Sequence, residues 1–283
     1  MILTMNKCEF IDIGLSAKEE KEIAKLLLTS SANPPQLADI WAIMDQVWDK
    51  YGCDNKKPNW DKISKFYQHP VWVLNGLFIE QDEESMRHRH AISDWVISNR
   101  KKHALKKIVD YGGGFGTLAK LIAQKDSSIQ IDIFEPHPSK FAQKTATEFP
   151  NIRFVNSLNG IYDCLISTDV LEHVPDTLKT FSEMINSIRL SGYLIIANNF
   201  YPAIKCHLPS TFHFRYSFQI FAKIMGLSIL GPCMNSHAIK YKKKTNPPFN
   251  WNKIRFYENL SRVSFPILKL AHYGYNAIKR TNK

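Results

Sequence analysis

The chain has 283 residues, which is enough for one catalytic domain and a substantial additional element. Its hydrophobic fraction of 44% is ordinary for a globular protein, and we see no run of the roughly 20 apolar residues that crosses a bilayer. The N-terminal sequence MILTMNKCEF lacks the basic and long apolar regions of a signal peptide. We therefore expect a soluble, cytoplasmic protein and not a secreted or membrane-spanning one.

The net charge of +11 is concentrated at the C-terminus. Residues 240–283 contain eleven Lys or Arg and one acid, Glu258, and so carry +10. A basic segment of this kind binds phosphates, the inner face of an anionic membrane or nucleic acid, or is simply solvated. The cysteines are scattered and form no CxxC pair, so we expect neither a zinc site nor a disulfide framework. They are Cys8, Cys53, Cys164, Cys206 and Cys233.

The first region, residues 1–105, is predicted to be a helical extension. Ser16 and Glu19 form a candidate capping box for a helix that runs through Leu28. Pro34 and Pro35 then open a second helix. A further helix is predicted over residues 86–99. The apolar side of the second helix would carry Leu37, Ile40, Trp41, Ile43 and Met44.

The second region, residues 106–241, alternates short apolar strands with helices. Its predicted strands are KKIVDY, IQIDIFEP, NIRFVN, YDCLIST and GYLIIANN, followed by a pair at residues 227–230 and 237–241. This alternation is typical of a doubly wound α/β fold with a mostly parallel sheet. The third region, residues 242–283, is predicted to be a basic, helical C-terminal tail.

A glycine-rich turn between the first strand and its helix, in IVDYGGGFGTLAKLIA, is the strongest local signal. Glycine at Gly112, Gly114 and Gly116 permits positive φ and close approach of a ligand to the backbone. A dinucleotide fingerprint needs a third glycine where Thr117 stands, so the pattern disfavours NAD. At the end of the second strand, the Glu135 carboxylate can accept hydrogen bonds from both ribose hydroxyls of an adenosine.

The stretch YDCLISTDVLEHVPD resembles the fourth-strand signature of class I S-adenosylmethionine-dependent methyltransferases of the small-molecule type. Together with the glycine loop, Glu135 and LSGYLIIANN, it gives four family features in the right order over residues 106–231. The resemblance implies a seven-stranded, mostly parallel Rossmann-like sheet whose last strand is antiparallel. It also implies S-adenosylmethionine as the cofactor and S-adenosylhomocysteine as its product.

Carried over position by position, this resemblance implies a set of cofactor-binding residues. Asp110 and the glycine loop would hold the methionine part, and Asp169 would lie near it or near the methyl group. Such proteins usually place an acid after the third strand for the adenine amine, but FVNSLNG offers only Asn156 or Ser157. The full predicted set is Asp110, Gly112, Gly113, Gly114, Gly116, Glu135, Pro136, Asn156, Ser157, Asp169 and Leu171.

A hydroxyl acceptor must lose its proton, and histidine is the usual general base near neutral pH. His173, just beyond the fourth strand, and His213, after the fifth, are the two catalytic candidates of about equal standing. His173 could instead only bond a nearby backbone group and shape its loop. His207 ranks below them, and His88 and His90 are as well explained by packing or phosphate contact. No histidine set has metal-ligand spacing in the sequence, so no metal site is expected.

The regions on either side of the predicted cofactor domain suggest what kind of acceptor the protein binds. The aromatic residues of FYQHPVWVLNGLF could form a lid over it, although a packing role is favoured for Phe66, Tyr67, Trp72 and Phe78. The helical extension resembles, more weakly, that of bacterial methyltransferases that act on surface-glycan precursors. Lys242 to Lys244 could lie near the site and hold a phosphate, and the tail could rest on a membrane.

We therefore expect O-methylation of a small phosphorylated or sugar-containing acceptor, such as a nucleotide-linked sugar or a capsule or lipopolysaccharide precursor. An RNA or protein methyltransferase is the alternative enzyme, although RNA is disfavoured and no DNA is expected. A non-catalytic S-adenosylmethionine-binding partner of another enzyme is the alternative outside catalysis. The sequence does not identify the oligomeric state.

Overall fold

The computed structural model describes residues 15–158, 160–246 and 248–281, and side chains through residue 272. The predictions made for the first 14 residues, Cys8 among them, lie outside this part. Five helices form the N-terminal extension: α1 (Ala17–Leu27), α2 (Leu37–Lys50), α3 (Trp60–Tyr67), α4 (Val71–Ile79) and α5 (Glu83–His103). The apolar faces of α1 to α4 form a core of their own, centred on side chains such as Ile40, Phe66 and Leu74. The buried apolar side chains of α5, Ile92 and Val96, pack instead in one core of the sheet.

The predicted capping box at α1 is present, because the Ser16 hydroxyl accepts from the Glu19 N–H and the Glu19 carboxylate accepts from the Ser16 N–H. The second helix begins at Leu37 and not at the prolines. Its buried side also differs in part from the prediction. Leu37 and Trp41 are not buried, whereas Val47 and Trp48 are, because the helix continues to Lys50 and packs its later turns on α4.

Seven strands form one sheet in the order β3-β2-β1-β4-β5-β7-β6. They are β1 (Lys107–Tyr111), β2 (Gln130–Phe134), β3 (Ile152–Val155), β4 (Tyr162–Thr168), β5 (Ile188–Ala197), β6 (Leu227–Pro232) and β7 (Ile239–Lys243). The first five pair in parallel, and β7 runs antiparallel to both β5 and β6. This confirms the predicted seven-stranded, mostly parallel sheet.

Helices cover both faces of the sheet: α6 (Thr117–Lys125), α7 (Lys140–Ala146), α8 (Thr177–Asn186), α9 (Phe214–Ile224) and α10 (Trp251–Thr281). Successive β1 residues point to opposite faces, so that Ile108 packs in one core and Val109 in the other. The strand order reverses between β1 and β4, and ligands of such sheets bind at the carboxyl ends of the strands beside that reversal.

The C-terminal segment packs its first helical turns against α9. Arg255 of α10 pairs with Asp176 at the start of α8 and with Glu258, which anchors the helix to the sheet domain. The helix continues through Pro266 to Thr281, in agreement with the predicted helical tail. Within the described part of the chain, none of the helices has the length and apolar character that spanning a membrane requires.

Candidate active site

One large cleft lies between the N-terminal helices and the carboxyl ends of the central strands. Its volume is about 2160 Å³, and α2 to α5 line one side while the loops after β1, β2, β4 and β5 line the other. Pockets for a single small ligand are commonly about 300–1,000 Å³. The cleft therefore has room for a cofactor and an acceptor side by side.

The glycine loop after β1 forms the floor of this cleft. Gly112 has φ +71° and Gly116, at the start of α6, has φ +75°. A Cβ added to Gly112 would lie 2.3 Å from Cγ2 of Val170, and one on Gly113 would lie 2.8 Å from the Asp110 carboxylate. Above Gly114 nothing lies closer than 3.9 Å. The loop is thus tightly packed beneath and open towards the cleft.

Two carboxylates flank this loop. Glu135 follows β2 and accepts from the Gly114 N–H at 3.1 Å and from the His137 N–H at 3.0 Å, which fixes its side chain towards the cleft. Burial raises the pKa of Glu135. Burial also raises the pKa of Asp110 to about 7, with Arg89 opposing the shift and Glu135 adding to it.

These groups fit S-adenosylmethionine. A carboxylate has about four lone-pair directions, so Glu135 can accept from two ribose hydroxyls in addition to its two backbone donors. Asp110 offers a negative charge for an ammonium group, and the open face of Gly114 admits a ligand to the backbone. The sequence placed both carboxylates correctly at the ends of β1 and β2.

Arg89 is a residue of this site that the sequence analysis did not assign to the cofactor. It lines the cleft from α5, donates to the Ser85 carbonyl at 3.0 Å and interacts electrostatically with Asp110 and Asp169. A guanidinium in this position can bind the carboxylate of the methionine part. The motif MRHRH contains Arg89, but the sequence does not show which helix face meets the cleft.

Asp169 has φ +54° directly after β4 and lies half-exposed in the cleft. His237, from the loop before β7, pairs with it at 3.7 Å, and the His88 ring stacks on His237 at 4.2 Å. Burial alone would raise the pKa of Asp169, but its pairing with His237 and the nearby positive charges lower it. The same pairing raises the pKa of His237, which the sequence analysis did not single out.

The two predicted catalytic histidines lie in different places. His173 lines the cleft, as predicted, and burial lowers its pKa to about 3, so its ring is neutral at physiological pH. His213 does not line the cleft, although the sequence placed it in the loop expected to cover the acceptor. It is buried between α9 and α10, where its Nδ1 lies 2.8 Å from the Ser261 hydroxyl. The loop after β5 instead brings His207 into the cleft, before the chain turns away into α9.

Three predicted cofactor contacts also lie elsewhere. Asn156 and Ser157 follow β3 and are exposed outside the lining of the cleft. Leu171 is fully buried in the core beneath it, and its neighbour Val170 is the side chain that reaches the cleft. The turn after Asp169 reverses which side chain points outward. Pro136 lines the cleft, as expected.

The aromatic stretch divides between the two roles considered for it. Phe66 and Phe78 are buried in the helical core, whereas Tyr67 and Trp72 line the cleft. These two rings stack at 5.1 Å and lie edge-on to His173. They form an aromatic wall facing the loops after β4 and β5.

The expectation that Lys242 to Lys244 lie near the site is wrong. Lys242 pairs with Tyr193 near the amino end of the parallel strands, because β7 runs antiparallel and away from the cleft. Lys243 is buried and donates to the carbonyls of Ile185 and Ile188, at the end of α8. Neither lysine is placed to bind an acceptor in the cleft.

Residues 82–218 match the protein family described as "Methyltransferase domain". This range contains the glycine loop, Glu135 and the loops after β4 and β5. No curated protein sequence matches the chain significantly.

Many solved structures resemble the fold. A protein described as a sarcosine dimethylglycine methyltransferase from Galdieria sulphuraria is 21% identical, with 54% of this chain and 65% of that chain covered and a TM-score of 0.40. The CurJ carbon methyltransferase is 12% identical, with coverage of 81% and 68% and a TM-score of 0.49. A Burkholderia thailandensis 1,6-didemethyltoxoflavin-N1-methyltransferase, with S-adenosylhomocysteine bound, is 13% identical, with coverage of 60% and 83% and a TM-score of 0.43. This chain thus covers just under two thirds of the length of the Galdieria protein. Because all three TM-scores are below 0.5, we base the description of the fold on the strand order alone.

Proposed function

We propose that this chain is a class I S-adenosylmethionine-dependent methyltransferase and that it O-methylates a small acceptor that carries a sugar or a phosphate. The match of residues 82–218 to the methyltransferase domain family supports the first part of the proposal. The observation that carries the proposal is the single cleft in which the glycine loop and Glu135 face the aromatic wall of Tyr67 and Trp72. A cofactor on one side and a small acceptor on the other would meet near Asp169.

The bound cofactor supplies an electrophilic methyl group on a sulfonium, so the chain need not activate it. The chain's own task is to hold the acceptor oxygen in line and to exclude water. Glu135, Asp110 and Arg89 would hold the cofactor's ribose, ammonium and carboxylate. Tyr67 and Trp72 would cover the acceptor side, where the loops after β4 and β5 place His173 and His207.

The composition of the cleft supports a sugar- or phosphate-containing acceptor. The stacked rings of Tyr67 and Trp72 offer an apolar face against which a sugar ring packs. At the rim, the exposed side chains of Arg87 and Lys140 line the opening and can pair with a phosphate. Nucleotide-linked sugars and surface-polysaccharide precursors combine both features.

The test is a screen of nucleotide sugars and sugar phosphates with mass-spectrometric detection of a one-methyl product. We expect Arg87→Ala with Lys140→Ala to raise KM for a phosphorylated acceptor about tenfold, since each exposed pairing contributes up to about 1 kcal/mol. Lys223→Ala removes an exposed cation outside the cleft and serves as the matched control. Methylation of RNA or a protein, with no product from the small acceptors, would overturn the proposal.

We further propose that α10 contacts an anionic membrane surface when the acceptor is lipid-linked. An exposed apolar stripe runs along the side of α10 opposite its buried residues Ile254, Glu258 and Ser261, and the helix also carries the exposed Lys253. Apolar and basic side chains on one exposed helix favour binding in the membrane interface. The stripe consists of Phe256, Leu260, Val263, Ile267 and Leu270.

A further inference from the structure

We propose that Glu172, His173 and His207 form a binding site for one divalent transition-metal ion, of the Mn²⁺ or Zn²⁺ class, at the acceptor side of the cleft. One donor atom from each residue lies within 4.8 Å of the other two. His173 and His207 both line the cleft, whereas Glu172 lies beneath it. Glu172 and His173 are adjacent in sequence, whereas His207 comes from the loop after β5.

The Glu172 carboxylate is the first observation that points to a cation. Its side chain is fully buried, and Oε1 accepts from the Asn199 N–H at 2.7 Å. Oε2 is buried without a hydrogen-bond partner among the described residues. Buried carboxylate oxygens normally accept a hydrogen bond or coordinate a metal. A cation would supply the partner that this oxygen lacks.

The orientation of the two imidazoles is the second observation. His173 Nδ1 lies 3.1 Å from the Cys206 carbonyl, and His207 Nδ1 lies 2.6 Å from the Tyr201 carbonyl. A carbonyl can only accept, so both Nδ1 atoms carry the proton and both Nε2 atoms keep a free lone pair. Metal-bound histidines in proteins are held in this way, with the second ring nitrogen donating to a carbonyl or carboxylate.

The ligand set also limits the identity of the metal. Two imidazoles and one carboxylate suit Zn²⁺, Mn²⁺ or Fe²⁺ better than Mg²⁺ or Ca²⁺, which prefer oxygen. Metal bonds of about 2.1 Å place neighbouring tetrahedral ligands roughly 3.4 Å apart. Since the donor atoms lie within 4.8 Å of one another, they would move together by at most about 1.4 Å on binding, and the side of the ion facing the cleft would remain open.

The role of this ion rests on the proposed function, although the site itself does not. An acceptor hydroxyl oxygen in the open position would be polarised by the ion and would release its proton to water more readily. The ion would also fix that oxygen in place. This removes the need for a strongly basic histidine in the cleft.

Binding of Mn²⁺ to chelator-treated protein, measured by calorimetry and by electron paramagnetic resonance without cofactor or acceptor, tests the site. We expect one ion per chain, with at least tenfold weaker binding in Glu172→Gln and in His207→Gln. Glu172→Gln keeps an oxygen for the Asn199 N–H, and circular dichroism checks that each variant is folded. His90→Gln, an exposed histidine outside the cleft, is the matched control and should bind as wild type does.

Absence of binding to the folded wild type, with Zn²⁺ as well as Mn²⁺, overturns the proposal. Binding that neither Glu172→Gln nor His207→Gln weakens also overturns it, because the ion then lies elsewhere. Stoichiometric binding lost in both variants supports the site even if no acceptor is ever methylated. Full methylation by metal-free protein that binds no ion would uphold the proposed function and refute the metal site.

Discussion

Replacing Gly112 with alanine tests whether the glycine loop is as tightly packed as the structure shows. The backbone there has φ +71°, and the new Cβ would lie 2.3 Å from Cγ2 of Val170. The left-handed conformation costs a non-glycine residue about 1–2 kcal/mol. Displacing Val170 adds about 1–3 kcal/mol of overpacking. We therefore expect Gly112→Ala to lower the free energy of unfolding by about 2–5 kcal/mol.

A second glycine provides the control for the backbone part of this effect. Gly231 in β6 has φ +92°, but no atom lies within 4 Å of its added Cβ. Gly231→Ala should therefore cost only the conformational part, about 1–2 kcal/mol. The difference between the two variants isolates the collision with Val170.

Urea unfolding of Gly112→Ala, Val170→Ala and the double variant measures this collision as a coupling energy. Removing the Val170 methyl groups should recover about 1–3 kcal/mol of the loss in Gly112→Ala. The reasoning is refuted if Gly112→Ala costs no more than Gly231→Ala. It is equally refuted if the two sites add without coupling.

Three further predictions follow from the cleft and the tail. Because burial raises the pKa of Asp110 to about 7, cofactor binding at pH 6 should release up to about one proton as the ligand's ammonium favours the carboxylate. Calorimetry in buffers of different ionisation enthalpy detects this release, and heats that do not depend on the buffer would contradict it. His213→Gln should leave kcat within about twofold of wild type, since His213 lies outside the cleft. A loss of kcat of about 100-fold or more, at unchanged stability, would show that His213 is the general base after all. Val263→Glu should reduce co-sedimentation with anionic vesicles, and equal binding by wild type and variant would remove α10 as the contact.

The same raised pKa makes the contribution of Asp110 to stability depend on pH. Its folded pKa of about 7 lies above the ordinary value of 3.8, so the favourable contribution of the protonated form is complete below pH 3.8. That contribution is lost as the pH rises towards about 7. Asp110→Asn should therefore raise the melting temperature of the free protein at pH 8 while it weakens cofactor binding. A lower melting temperature at that pH would show that the buried charge is compensated.

The sequence predicted the sheet well because its signals are local. Each strand is a short apolar run bounded by turns, and the glycine loop and Glu135 follow strand ends directly. The carboxyl ends of parallel strands share one edge of the sheet, so strand order was sufficient to bring Asp110, Glu135 and Asp169 together.

The side chains on loops were less predictable because their direction depends on tertiary packing. His213 and His207 lie six residues apart in one connection, and only the entry into α9 decides which of them reaches the cleft. Directly after Asp169, which has a positive φ, the half-buried Val170 lines the cleft, whereas the predicted Leu171 is buried in the core. The sequence likewise could not show that Glu172 lies beside His207, because α8 and β5 separate the two residues along the chain. A search for closely spaced metal ligands in the sequence therefore misses this group.

Calorimetric titration with S-adenosylmethionine, S-adenosylhomocysteine and NAD tests the central claim most directly. We expect both adenosyl ligands to bind wild type and to bind Glu135→Ala roughly 100-fold more weakly, since two charge-assisted hydrogen bonds of about 1.5 kcal/mol each are lost. Glu148→Ala removes an exposed carboxylate outside the cleft and should bind as wild type does. Binding of NAD alone, or adenosyl binding unchanged in Glu135→Ala, would contradict the account.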